Sequence, residues 1–241
     1  MTAVYSFASP SRKIGFIAVD DLDSSTGAKA EKIVLCSRRF AIAGTGKAVP
    51  VRALQSIAGC EEYDNIESPK SLNDILDQAW DLTKLLCECY YVREQARKNR
   101  DEVSEIDWAL FIASSAKLVI LDCETYAIHE VEQQLFPPER INPLATVQHK
   151  KPDTLHLAEL ASFVVRRNGE AADFDNAEQI LSFLAKRISE DHAAEPKIGG
   201  LGSIVIVHRG QISNYSAFKG PRDYIENLLK GCGLRTANED P

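Results

Sequence analysis

The chain has 241 residues, of which 44% are hydrophobic and 26% charged. That is enough apolar material for a full core and excludes an intrinsically disordered chain. Lys and Arg total 28 against 35 Asp and Glu, a formal charge of -7. An acidic balance argues against nucleic acid as a partner, because phosphate binding draws on clustered cations.

The first third reads as strands. Residues 3–8 and 13–20 are apolar and β-prone, and Ser9-Pro10-Ser11-Arg12 between them has hairpin-turn composition. After a polar segment come strands at 32–37 and 40–43, the second closing on Gly44-Thr45-Gly46. Small and aliphatic spacing predicts a helix over 49–58. A longer helical pattern covers 71–97, where Leu72, Ile75, Leu76, Ala79, Leu82, Leu86 and Tyr90 recur at three and four. Ser71 and Asp74 give it a capping-box start.

Strands return at 107–114, 117–122 and 125–131. The proline-bearing stretch 136–153 reads as a loop. Helices are expected over 154–167 and 174–190, with Asn168-Gly169 as the stop between them. Strands follow at 203–208 and 211–216, turning at Arg209-Gly210, and a short helix near 222–231 closes the pattern.

The longest apolar runs, 203–207 and 118–121, fall far short of the ~20 residues of a spanning helix. The start, Met1 to Phe7, lacks the basic and long apolar regions of a cleaved signal. Cysteines at 36, 60, 87, 89, 123 and 232 show no CxxC spacing, so a reduced, cytoplasmic protein without a disulfide frame is expected. Histidines at 129, 149, 156, 192 and 208 match no metal-binding spacing. No metal or cofactor is expected.

Helices grouped between strand blocks disfavour a doubly wound parallel sheet. The pattern predicts an α+β fold: a four-layer αββα sandwich of two antiparallel sheets covered by helices. With no internal linker, residues 1–241 are expected to form one domain.

Thr2 stands beside the initiator methionine, so removal of Met1 would place a free α-amine and a hydroxyl on one residue. The hydroxyl is a weak nucleophile that needs a base, and an α-amine with a pKa near ~8 can serve as one. Lys32 opens a strand and lies 14 residues before Gly46. These features, with the element order, resemble the N-terminal-nucleophile hydrolases, and among them proteasome-type β subunits, including the bacterial two-component protease subunit.

The resemblance implies an amide-bond hydrolase with Thr2 as nucleophile and peptide or protein as substrate. Lys32 would supply positive charge beside Thr2, Asp20 would pair with that lysine, and Gly46 would offer a backbone N–H to the oxyanion. Asp191, in Ser189-Glu190-Asp191-His192, corresponds to a second aspartate near the amine. Ser24 and Ser25 follow Asp20 and Asp21 where the family holds substrate backbone. Self-association into rings or related assemblies is also implied, with an unfoldase partner left open.

Each residue also has a plainer reading. Lys32 can guard an edge strand, Gly44-Thr45-Gly46 can be an ordinary turn, and Asp191 a surface acid ending a helix. Gly44-Thr45-Gly46-Lys47 lacks the GxxxxGK[ST] spacing of a phosphate loop. The family's serine-glycine-glycine turn is absent; Gln148 to Thr154 stands in its place. A catalytically silent assembly or binding subunit, and a small-amide acylase on the same fold, are the alternatives.

Overall fold

The computed structural model describes residues 2–23, 28–29, 32–46, 71–78, 81–82, 85, 115–134, 145–158, 170–171, 173–196 and 198–216. In chain order the first strands are β1 (Val4–Ser9), β2 (Ile14–Asp20), β3 (Leu22–Asp23), β4 (Ala28–Lys29), β5 (Ile33–Cys36) and β6 (Phe40–Gly46). Helix α1 covers residues 72–78. Then come β7 (Ser115–Asp122), β8 (Ala127–Gln134), β9 (Ala145–His149), β10 (Thr154–Ala158) and β11 (Glu170–Ala171). Helix α2 (Ala177–Ala194) and strands β12 (Leu201–His208) and β13 (Gln211–Ser216) complete the set.

β1 and β2 are buried along their whole length, and alternation sends their side chains two ways. Tyr5, Phe7, Phe16 and Ala18 join one apolar cluster, whereas Val4, Ala8, Ile17 and Val19 join another. Burial on both faces is why these strands read as continuous apolar runs. They are the middle of a six-stranded antiparallel sheet in the order β11-β10-β1-β2-β12-β13. The second sheet is a meander of five strands, β5-β6-β7-β8-β9. β3 and β4 pair as a short separate ribbon.

The two sheets pack face to face. Val4, Ile17, Val19, Val205 and Val207 of one meet Ile33, Ala43, Val119, Leu121 and Ile128 of the other in a single cluster. Helix α2 lays Ile180, Leu181, Leu184 and Ile188 against Tyr5, Phe7, Phe16 and Ile204 on the far side of the six-stranded sheet. Ile75 and Leu76 of α1 pack on Ile42, Leu118 and Ile120 of the five-stranded sheet. Each such side chain contributes about 1.5–3 kcal/mol by leaving water.

The helix starts follow from local chemistry. Ser71 Oγ accepts from the Asp74 N–H (3.1 Å) while Asp74 Oδ2 accepts from the Ser71 N–H (3.2 Å), a reciprocal cap. At α2, Asn176 Oδ1 accepts from the Gln179 N–H at 3.0 Å.

Residues 154–158, expected to begin a helix, form β10 instead. Leu155 and Leu157 alternate into the core beside β1, and the pairing of Tyr5 with Leu157 outweighs the helix propensity of the Leu and Ala residues there. The expected loop over 136–153 contains β9, paired with β8. The helices expected over 49–58 and 222–231 and the strand over 107–114 lie outside the described residues, as does most of 79–97.

Candidate functional site

Thr2 is half-buried and leads directly into β1. The next residue, Ala3, donates its N–H to Asp20 Oδ1 at 2.9 Å, and its carbonyl accepts from the Asp20 N–H at 3.3 Å. Because β1 and β2 pair antiparallel with Val4 opposite Val19, the start of β1 necessarily meets the end of β2. Asp20 itself is fully buried.

Lys32 immediately precedes β5, on the other sheet. Its Nζ donates to Asp20 Oδ1 at 2.9 Å and to the Leu22 carbonyl at 2.6 Å. The same carboxylate oxygen therefore receives both the Lys32 ammonium and the amide that follows Thr2. The second oxygen, Oδ2, accepts from the Gly199 N–H at 3.1 Å and the Leu22 N–H at 3.3 Å. A buried carboxylate is tolerated when its lone pairs are filled and a cation lies beside it, and both conditions hold here.

Gly199 and Gly202 shape this corner. A Cβ on Gly199 would fall 2.6 Å from Leu22, and one on Gly202 would fall 2.8 Å from the Asp21 backbone. Only glycine allows the chain entering β12 to lie this close to the segment after Asp20. Asp21, the neighbouring candidate, is buried as well and donates its N–H to the Gly200 carbonyl at 3.0 Å.

Asp191 lies in the last turn of α2 and is buried. Its Oδ2 accepts from Tyr5 Oη at 2.7 Å and from Arg187 Nε at 3.2 Å. Burial, and then the Asp191 charge, raise the Tyr5 phenol well above its ordinary value, so it serves as a neutral donor. Among the described residues no hydrogen bond joins Asp191 to Thr2, Asp20 or Lys32. Gly46 is the last residue of β6, opposite Ala116 on β7. Ser24 and Ser25 lie outside the described residues.

Thus the structure brings Asp20 and Lys32 together beside the Thr2–Ala3 peptide. It places Asp191 against Tyr5 on the α2 side of β1, and Gly46 at a strand end of the second sheet. Sequence reasoning missed Gly199, Tyr5 and Arg187 as anchors. Nothing local ties Tyr5 to a residue 186 positions away. Where a helix-opening turn was expected to be replaced by Gln148 to Thr154, the chain runs from the end of β9 through a turn into β10. Among the described residues no group of three or more His, Cys, Asp or Glu side chains could hold a metal ion, and no helix is long and apolar enough to cross a membrane.

No family model and no curated protein matches the sequence. Among solved structures the chain is similar to Anbu (ancestral beta-subunit) from Yersinia bercovieri, with a TM-score of 0.50 and 13% identity over 96% of this chain and 93% of that one. Anbu from Hyphomicrobium sp. strain MC1 is similar at TM-score 0.48 and 12% identity, over 97% of this chain and 94% of that one. The Yersinia structure corrects the sequence reading, in which the proteasome-type β subunits and the two-component protease subunit stood as the relatives. At such identity the likeness to the Yersinia protein carries the fold and no more. The chain has an α+β fold of two antiparallel sheets like that of an ancestral beta-subunit.

Proposed function

We propose that this chain is an N-terminal threonine hydrolase that cleaves amide bonds in peptides once Met1 is removed. The observation that carries the reading is the shared acceptor: Lys32 Nζ and the amide of Ala3 both bond Asp20 Oδ1. The ammonium is thereby within two hydrogen-bond lengths of the residue after Thr2. A fixed cation there favours the free-base form of a Thr2 α-amine and offsets negative charge developing at the hydroxyl.

In this reading the α-amine takes the proton from Thr2 Oγ1 as that oxygen attacks the substrate carbonyl. The Gly46 N–H holds the oxyanion, the C–N bond breaks, and the leaving amine carries off the proton. An ester on Thr2 remains, and water, deprotonated by the α-amine, hydrolyses it to the free acid. Asp191, held by Tyr5 and Arg187, supports the segment from the α2 side. The reading also carries the four-layer arrangement, one domain over the chain, and self-association of several copies.

One observation favours a second reading, a silent subunit that assembles or binds without acylation. The strand-turn-strand course of 148–154 lacks the serine that the mechanism would want beside the amine. Two measurements separate the readings. Intact mass of the purified chain is expected to lack one methionine, and a threonine-directed electrophile is expected to add once to the wild type and not to Thr2→Ala. A retained methionine, or labelling that survives Thr2→Ala, overturns the hydrolase. Peptide against small-amide turnover then identifies the substrate class.

A further inference from the structure

The outer edge of the five-stranded sheet carries a pair of imidazoles that the Asp20–Lys32 site does not use. The register of β8 and β9 sets His129 directly opposite His149. Directly opposed residues of an antiparallel pair hold their side chains on the same face, close enough to act together. The two ring centroids are 4.6 Å apart, with the planes inclined at 68°.

His129 is half-buried, and its Nδ1 is out of contact with solvent and has no hydrogen-bond partner. A buried ring nitrogen without a partner calls for a cause, and a missing ion is one of the recognised causes. His149 is exposed, so its ring can turn at little cost and an ion can reach it from solvent. Two imidazoles on one tetrahedral ion, with metal–nitrogen bonds of about 2.0–2.1 Å, have centroids roughly 5 Å apart. The observed spacing is close to that. Neutral imidazole nitrogens suit zinc, nickel and copper and do not suit calcium or magnesium.

We propose that His129 and His149 form a two-histidine chelate on the β8–β9 edge for a borderline divalent transition ion, with water completing its coordination. Two protein ligands, one on each strand, clip the edge strand β9 to β8. Such an ion binds the folded chain and not the separated strands, so it raises folding stability.

The test uses the full chain with nickel(II) alone as probe, following the thermal midpoint and the histidine ring C–H resonances. The expected result is a midpoint rise of several degrees at saturating ion. The His129 and His149 resonances should broaden or shift before those of the other histidines. His149→Ala changes an exposed residue and should leave the ion-free midpoint within about 2 °C, since surface changes are small. It is expected to weaken nickel binding at least tenfold. An unchanged midpoint with nickel in the wild type overturns the proposal. So does a His149→Ala affinity within threefold of wild type, which would place the ion elsewhere.

Discussion

Lys32 Nζ and the Ala3 amide nitrogen meet on one oxygen, Asp20 Oδ1, each at 2.9 Å. The lysine comes from the five-stranded sheet and the amide from the six-stranded one, so one carboxylate joins both. The pair is buried, with Lys32 exposed by 8% and Asp20 by 0%.

Lys32→Met should remove the cation and leave Asp20 as an uncompensated buried charge. Breaking such a pair from one side costs about 3–5 kcal/mol. Urea unfolding is expected to show a loss of that size. Adding Asp20→Asn to Lys32→Met should recover part of it, because the stranded charge is gone. A loss below about 1 kcal/mol in the single variant would mean that water reaches the pair.

Gly199→Ala places a methyl against Leu22 and the Asp21 side chain. Overpacking of this kind costs about 1–3 kcal/mol, and the Gly199 N–H bond to Asp20 should lengthen. Gly210→Ala is the contrasting change. Gly210 has φ 82° and open space around its Cβ position, so the cost is backbone strain alone, about 1 kcal/mol. Denaturant midpoints should rank the Gly199 variant as the worse of the two.

Tyr5→Phe keeps the ring in the core and removes the donor to Asp191. A buried charged acceptor that loses a hydrogen bond costs about 1–3 kcal/mol. Arg187 remains on the same oxygen, so the fold should persist with a lowered midpoint in urea. Near-wild-type stability would show that Asp191 finds another donor.

The hairpin β7–β8 supplies a pH dependence. Asp122 is buried and accepts from Arg39 Nε at 3.1 Å and Nη2 at 2.8 Å, and from the Glu124 and Thr125 amides. Burial pushes its carboxyl upward, but these donors outweigh burial and hold it below the ordinary carboxylate value. A group with a lowered folded-state pKa stabilises the fold above its unfolded pKa and loses that stabilisation as pH falls through the folded one. Stability is therefore expected to decline as pH drops below about 4. Asp122→Asn should be less stable at pH 7 and show a shallower decline; an unchanged acid limb would remove Asp122 as its source.

How far the sequence could be read depended on what each segment touches. The strands around Asp20 and Lys32 were legible because both faces are buried and the residues that matter sit at strand ends. The helical pattern over 174–190 overlaps α2 (Ala177–Ala194). By contrast, Thr154 to Ala158 carried helix-forming residues, and only the distant pairing with β1 makes them a strand. β9 was hidden because prolines flank it and its partner lies on β8. No local pattern could show that Gly199 reaches Asp20, or that Tyr5 reaches Asp191 across the β1–α2 interface.

The carboxylate of Asp20 acts as a clasp at one end of the sandwich. It also accepts from Gly199 N–H, just before β12, the strand neighbouring β2. Prying the sheets apart there would pull Lys32 from Asp20 and leave the carboxylate buried without its cation, so opening at that end is costly. The Ala3 amide proton, bonded to that carboxylate and fully buried, should then be among the slower amides to exchange with solvent.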